Sequence, residues 1–191
     1  MRLIQYNIFS SRILSISIVI LALFLGTSPI YGETVGSVTL NRNIEKFKQY
    51  RTTDRERALD YASMVLKDVD TTSVSEDIAM VFDFMSEYSE STLHKYGEAL
   101  QYRQMAYSIY QKLNNRPCIA RTSALLARIY MRNNDYHNAF SSSLRALDDA
   151  RVLGDSTTVR EAYLALEQVD YYYHNDMERA MAYNLRVSES Y

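Results

Sequence analysis

The chain has 191 residues, with 21 Lys+Arg against 23 Asp+Glu, 17 Tyr, 5 Gly, 2 Pro, 1 Cys and no Trp. Only Gly36, Gly97, Gly154 and Pro117 lie beyond residue 32, too few breakers for a turn-rich β sandwich. A net charge of −2 argues against a nucleic-acid binder, and one cysteine excludes an internal disulfide or a Cys-rich zinc site.

The first element is a leader. Arg2 and Arg12 precede the uncharged run 13–25, ILSISIVILALFL. Gly26, Thr27, Ser28 and Pro29 break that run, and Gly32 sets a small residue before Glu33. A basic start, a short apolar stretch and a small-residue exit predict a signal peptide over residues 1–32, cleaved after Gly32. The expected destination is the periplasm of a Gram-negative cell, or the extracellular space. The alternative is an uncleaved leader that anchors the chain in the inner membrane, although a spanning helix needs about 20 apolar residues. Losing Arg2 and Arg12 with the leader takes the net charge from −2 to −4. No membrane span is expected after residue 32.

Residues 33–191 carry an internal period of about 40. Ala58, Ala99, Ala139 and Ala180 align, each followed by a large apolar residue: Leu59, Leu100, Phe140, Met181. Seven residues on, two helical turns later, stand Val65, Ala106, Ala146 and Val187. The copies run over about 40–72, 73–116, 117–155 and 156–191, each read as a pair of helices. In copy one a short helix over about 41–51 precedes RERALDYASMVLK, with Thr53 and Glu56 as a capping box. The second helix of copy two spans about 95–113, stopped by Asn114, Asn115 and Pro117, and its inner turn holds two extra residues. Copy three has helices over about 122–131 and 136–153, with Asn133, Asn134 and Asp135 between them and Gly154 after. Copy four runs 159–173, turns at His174, Asn175 and Asp176, and resumes at Met177; Asp155, or Thr158 with Glu161, caps its start.

Such hairpins cannot bury their apolar faces alone, and stacking them buries a continuous core. The fold class expected is therefore all-α, a right-handed solenoid of about four antiparallel helix hairpins. Copy three resembles a tetratricopeptide repeat through Leu126, Ala127, Tyr130, Asn134, Tyr136, Ala139 and Ala146. It departs from that pattern at Ser123, Ser143 and Arg151. Copies two and four keep Tyr88, Tyr96, Ala99 and Ala106, then Tyr171, Ala180 and Val187. The resemblance covers about residues 40–191, and it implies a protein-binding scaffold whose first helices line a concave, peptide-holding face.

Chemistry-bearing motifs are scarce. His94, His137 and His174 recur about 40 residues apart near turns, too dispersed for the short bonds of one metal site, and are expected to face solvent. Cys118 stands at a helix start, where a low-pKa thiolate is possible, but no base accompanies it in sequence. No phosphate loop, HExxH or serine-nucleophile motif is present. The expectation is a non-enzymatic protein without metal or cofactor.

Arg121, Arg128 and Arg132, spaced 7 and 4, share one face of the first helix of copy three. On a concave surface that row would favour acidic or carboxylate-bearing segments; the competing reading is a solvated face paired with acidic residues. Tyr171, Tyr172 and Tyr173 point about 100° apart on a helix, so at least one should face solvent, and Tyr172 joins the arginines as a candidate contact. The expected partner is thus a protein or peptide, with no nucleic acid. Tyr183, Leu185 and Val187 stay apolar to the end of copy four. That predicts an uncapped face which continues into more chain or docks another copy or a partner. A second functional reading makes the chain the sensor part of a bacterial receptor whose membrane helix and output domain lie elsewhere.

Overall fold

A computed structural model describes residues 35–69 and 73–188. The leader and its cleavage point lie outside the described residues. The chain divides into two units, residues 1–38 and 39–191. Of the first, only the opening turn of one helix is described.

Among the described residues there are eight α-helices, one π turn and no strand. They are α1 (Val35–Tyr50), α2 (Arg55–Asp68), α3 (Glu76–Ser91), α4 (Tyr96–Lys112), α5 (Arg116–Arg132), α6 (Tyr136–Leu153), α7 (Ser156–Val169), the π turn Asp170–His174 and α8 (Met177–Ser188). No described helix is long and apolar enough to cross a membrane.

Helix starts are set by carboxylates and amides. Asp54, Asn115, Asp135 and Asp155 each accept a backbone N–H three residues on, at 3.0–3.2 Å. Ser75 does the same for Ile78. The capping boxes expected at Thr53 and Thr158 are not used. A neighbouring Asp takes each cap instead, because a charged oxygen binds the positive end of the helix more strongly than a hydroxyl. Thr53 donates its hydroxyl back to the Gln49 carbonyl. Thr158 supplies both its N–H and its hydroxyl to Asp155.

Three first helices begin earlier than expected. α5 starts at Arg116 rather than near 122, and Pro117 lies inside its first turn, where a missing N–H costs nothing. Pro117 therefore opens a helix and stops none. α7 starts at Ser156, and α1 at Val35.

Five connections share one backbone turn. His94, Asn114, Asn134, Gly154 and Asn175 have φ of 54°, 55°, 59°, 69° and 51°, and each stands two residues before the next helix. Asparagine tolerates the left-handed region better than most residues. That preference explains why the chain turns so often with so little glycine. The inner turn of copy two carries one extra residue relative to copy three, not two: six residues separate the Ser89 carbonyl from the Lys95 N–H it accepts, against five from Tyr130 to Asp135. The sixth residue recurs between Asp170 and Asp176, where the wider π turn absorbs it, so α7 does not run on to Tyr173 as an α-helix.

Ala58, Ala99, Ala139 and Ala180 each occupy the fourth position of α2, α4, α6 and α8, and all are buried. Their lack of bulk lets helix axes approach closely. Each helix from α2 onward packs on the next, and α5 also packs on α7. Short connections make consecutive helices antiparallel. Phe47 of α1 meets Phe84 edge-on at 5.2 Å, and Tyr50 stacks on Tyr61. One core cluster gathers α1–α4 around Phe47, Val65, Val81 and Ile109. A second gathers α5–α8 around Leu147, Tyr163 and Leu166.

Candidate functional site: a charged groove on the odd-numbered helices

A cavity of about 570 Å³ opens along α1, α3, α5 and α7. Its walls alternate apolar and charged side chains. Phe47, Met80, Phe84 and Leu125 supply the apolar surface, and Arg51, Asp83, Glu87, Arg121, Arg128 and Glu161 the charges.

Asp83 forms the floor. It sits mid-way along α3 inside an apolar run, IAMVFDFM, so burial of that helix carries the carboxylate inward. An isolated buried carboxylate is costly, and this one is paired. Arg103 of α4 donates from Nη1 to Oδ1 at 2.5 Å, with the two side chains 3% and 11% exposed. The buried Tyr110 hydroxyl donates to Oδ2 at 2.9 Å. Burial and the adjacent Asp83 charge push the Tyr110 phenol well above its ordinary value, so it remains a donor at physiological pH.

Arg121 reaches over this network, with Nη2 3.6 Å from Asp83 Oδ2 and a side chain 57% exposed. Two guanidinium groups thus serve one carboxylate, which leaves one positive charge in excess at the groove floor. Further along, Arg128 forms a fork with Glu90, with Nε to Oε1 and Nη2 to Oε2 both at 2.9 Å. That pair cancels itself, and donating to the Glu90 carboxylate raises the Arg128 pKa. Glu87 on the wall pairs loosely with Arg55 at 3.5 Å. The lining carries four arginines, Arg51, Arg103, Arg121 and Arg128, against three acids, Asp83, Glu87 and Glu161, and the excess at the floor is Arg121.

Of the residues singled out from sequence, the structure brings Arg121 and Arg128 into this groove. The ion-pair reading describes both, since each arginine has an acidic neighbour. Arg132 ends α5, exposed and outside the groove lining. Tyr172 is exposed in the π turn with its ring edge-on to Tyr171 at 4.8 Å, also outside it. All three consecutive tyrosines are exposed, and Tyr173 stacks on Tyr136. The buried signature positions Ala58, Ala99, Leu126, Ala127, Ala139, Ala146 and Ala180 belong to the core. Tyr130 and Tyr136 are half-buried, and the Tyr130 hydroxyl accepts from Gln104.

Sequence reasoning passed over Asp83, Arg103 and Tyr110. The available signal was a single charge inside an eight-residue apolar run, which requires a buried partner. Reading the histidines as turn residues in solvent suits His94 and His137. His174 is exposed as well, and its Nδ1 lies 2.5 Å from the fully buried Asp170 carboxylate, which Arg179 approaches at 3.3 Å. Cys118 is a free, half-buried thiol, and burial raises its pKa. A reactive thiolate would need the opposite. Among the described residues no three His, Cys, Asp or Glu side chains are grouped to hold a metal ion.

No family model and no curated protein matches this chain. Among solved structures, the crystal structure of BtubC (BKLC) from P. vanneervenii is similar, with a TM-score of 0.69 at 17% identity. The match covers 86% of this chain and 67% of that one. At that identity the likeness bears on the all-helical fold alone.

Proposed function

We propose that this chain is an exported, non-catalytic scaffold of the tetratricopeptide type, a right-handed solenoid that holds a peptide or protein segment along its odd-numbered helices. The observation that carries this reading is the groove floor at Arg121, a half-exposed guanidinium above a carboxylate that Arg103 has already neutralised. An anion arriving there gains a charge-assisted hydrogen bond from a guanidinium whose own contact with Asp83, at 3.6 Å, is loose. Phe84, Met80 and Leu125 beside it favour an apolar neighbour in the ligand. The segment expected is therefore short and extended, with an acidic side chain or terminal carboxylate next to an apolar residue.

Selection from a displayed random-peptide library on the full chain tests this. Enrichment of Asp or Glu adjacent to a large apolar residue, lost with Arg121→Glu as bait, supports the proposal. Enrichment with no acidic preference, or one indifferent to Arg121→Glu, contradicts it.

A further inference from the structure

A second cavity lies on the side of the even-numbered helices, separate from the groove. Between α2 and α4 a space of about 440 Å³ is walled by Leu66, Val69, Phe82, Met105 and Ile109. On α4, Tyr102, Met105, Ile109 and Lys112 are spaced 3, 4 and 3 residues apart, so they form one stripe. From Tyr102 to Lys112 that stripe runs about 15 Å. The cavity is therefore a slot with two unlike ends. At one, the Phe82 and Tyr102 rings stack at 6.3 Å. At the other stands Lys112, the last residue of α4, with Ser108 one turn before it. Asn115, just beyond, bonds Glu76 at the start of α3, which brings Ser73 to this end as well. No acid is among the described lining residues. The side chains of Ser73, Ser108 and Lys112 have no hydrogen-bond or ion-pair partner among the described residues.

The corresponding place between α4 and α6 is filled. Leu66 and Tyr107 hold the twelfth places of α2 and α4, and Met105 and Arg145 the tenth places of α4 and α6. Arg145 donates to the Tyr107 hydroxyl and lies over its ring at 5.8 Å. A polar pair bridges that junction, whereas Leu66 and Met105 leave theirs open. Between α6 and α8, Tyr183 packs on Tyr163 at 5.9 Å and Val187 joins the second core cluster. Of the residues expected to stay apolar and open at the end of α8, Tyr183 and Val187 are thus covered, and Leu185 is exposed.

Small-molecule sites are typically cavities of about 300–1,000 Å³, mostly apolar, with a few polar groups that fix orientation. Here those groups gather at one end and are one ammonium and two hydroxyls, all able to donate to an anion. We propose that the slot binds a single-chain fatty carboxylate. The alkyl tail lies along Met105 and Ile109 and ends against the Phe82 and Tyr102 rings. The head accepts hydrogen bonds from Lys112, Ser108 and Ser73. One cation matches one negative charge, and the flexible thioether of Met105 adapts to an alkyl chain. The apolar walls select for the tail, and Lys112 selects a carboxylate over a neutral head.

Calorimetric titration of the full chain with dodecanoate, kept below its micelle-forming concentration, reads this directly. One saturable site is expected, and decanoate, two methylenes shorter, should bind about tenfold more weakly. Lys112→Met should weaken dodecanoate about tenfold and leave dodecan-1-ol unchanged. Leu66→Tyr with Met105→Arg writes the bridged pair of the next junction into this one. It should abolish binding while the circular-dichroism melt stays unchanged. Absence of saturable dodecanoate binding overturns the proposal, as does binding to phosphatidylglycerol vesicles without binding to free dodecanoate. Equal dodecanoate affinity in wild type and Lys112→Met, or in wild type and the folded double variant, overturns it too.

Discussion

Removing one member of the Asp83–Arg103–Tyr110 network should cost more than any surface change in the molecule, and the two ends should cost different amounts. In Asp83→Leu, Arg103 keeps its charge at 3% exposure and loses its carboxylate partner, while its Nε already has no hydrogen-bond partner. Tyr110 loses its acceptor at the same time. Breaking a buried pair in this way costs about 3–5 kcal/mol. In Arg103→Met, Asp83 retains the Tyr110 hydroxyl at 2.9 Å and has Arg121 at 3.6 Å, so a second cation offsets part of the loss. That variant belongs at the lower end, at about 3 kcal/mol. The double variant Asp83→Leu with Arg103→Met fills the space with apolar groups and should recover most of the loss, because no uncompensated charge remains. Urea unfolding followed by circular dichroism is the assay. With a slope of about 2 kcal/mol per molar, 4 kcal/mol moves the midpoint by about 2 M. If both single variants shift the midpoint by less than a quarter of that, or if the double variant equals their sum, the reasoning about this network fails.

Three further outcomes follow from the packing and caps, each read from the same urea midpoint. Ala139→Leu should cost about 1–3 kcal/mol through overpacking at the fully buried helix approach, whereas Ser141→Leu on the exposed face should stay within about 0.5 kcal/mol. Gly154→Ala should cost about 1 kcal/mol from its φ of 69° alone, since an added Cβ there meets no atom within 4 Å. Asp155→Ala should cost about 1 kcal/mol at neutral pH by removing the α7 cap. The Thr158 hydrogen bonds hold the Asp155 carboxyl below its ordinary value, so its contribution is present above about pH 4 and lost as pH falls through the lowered folded pKa. The difference between wild type and Asp155→Ala should therefore shrink on acidification, and an undiminished difference at pH 2 would contradict that assignment.

Much of the backbone was legible because it rests on local rules. The four alanines and their large apolar neighbours follow helical periodicity, and Asp135 and Gly154 fix the ends of α6, so its bounds 136–153 could be read directly. The start of α5 was misplaced because Pro117 reads as a stop when it stands one residue inside a helix, and that of α7 because Thr158 and Glu161 mimic a capping box while Asp155 takes the cap. The π turn escaped notice because one extra residue between Asp170 and Asp176 leaves no compositional mark. The groove was half-legible. Arg121 and Arg128 share a helix face by spacing alone, but their acidic neighbours come from α3, 38 residues back in each case. Arg103, 20 residues beyond Asp83, reaches it from the adjacent helix, a pairing that only tertiary packing reveals.

The central claim, that the groove recognises an anionic segment through Arg121, is tested most directly by inverting the charge on both sides. An acidic peptide selected on the wild-type chain, and its counterpart with Lys in place of the acidic residue, are titrated by calorimetry against wild type and Arg121→Glu. The account predicts a crossover: the acidic peptide binds wild type at least about tenfold more tightly than Arg121→Glu, a difference of 1.4 kcal/mol, and the Lys peptide reverses that order. Equal affinities of both peptides for both proteins would contradict it.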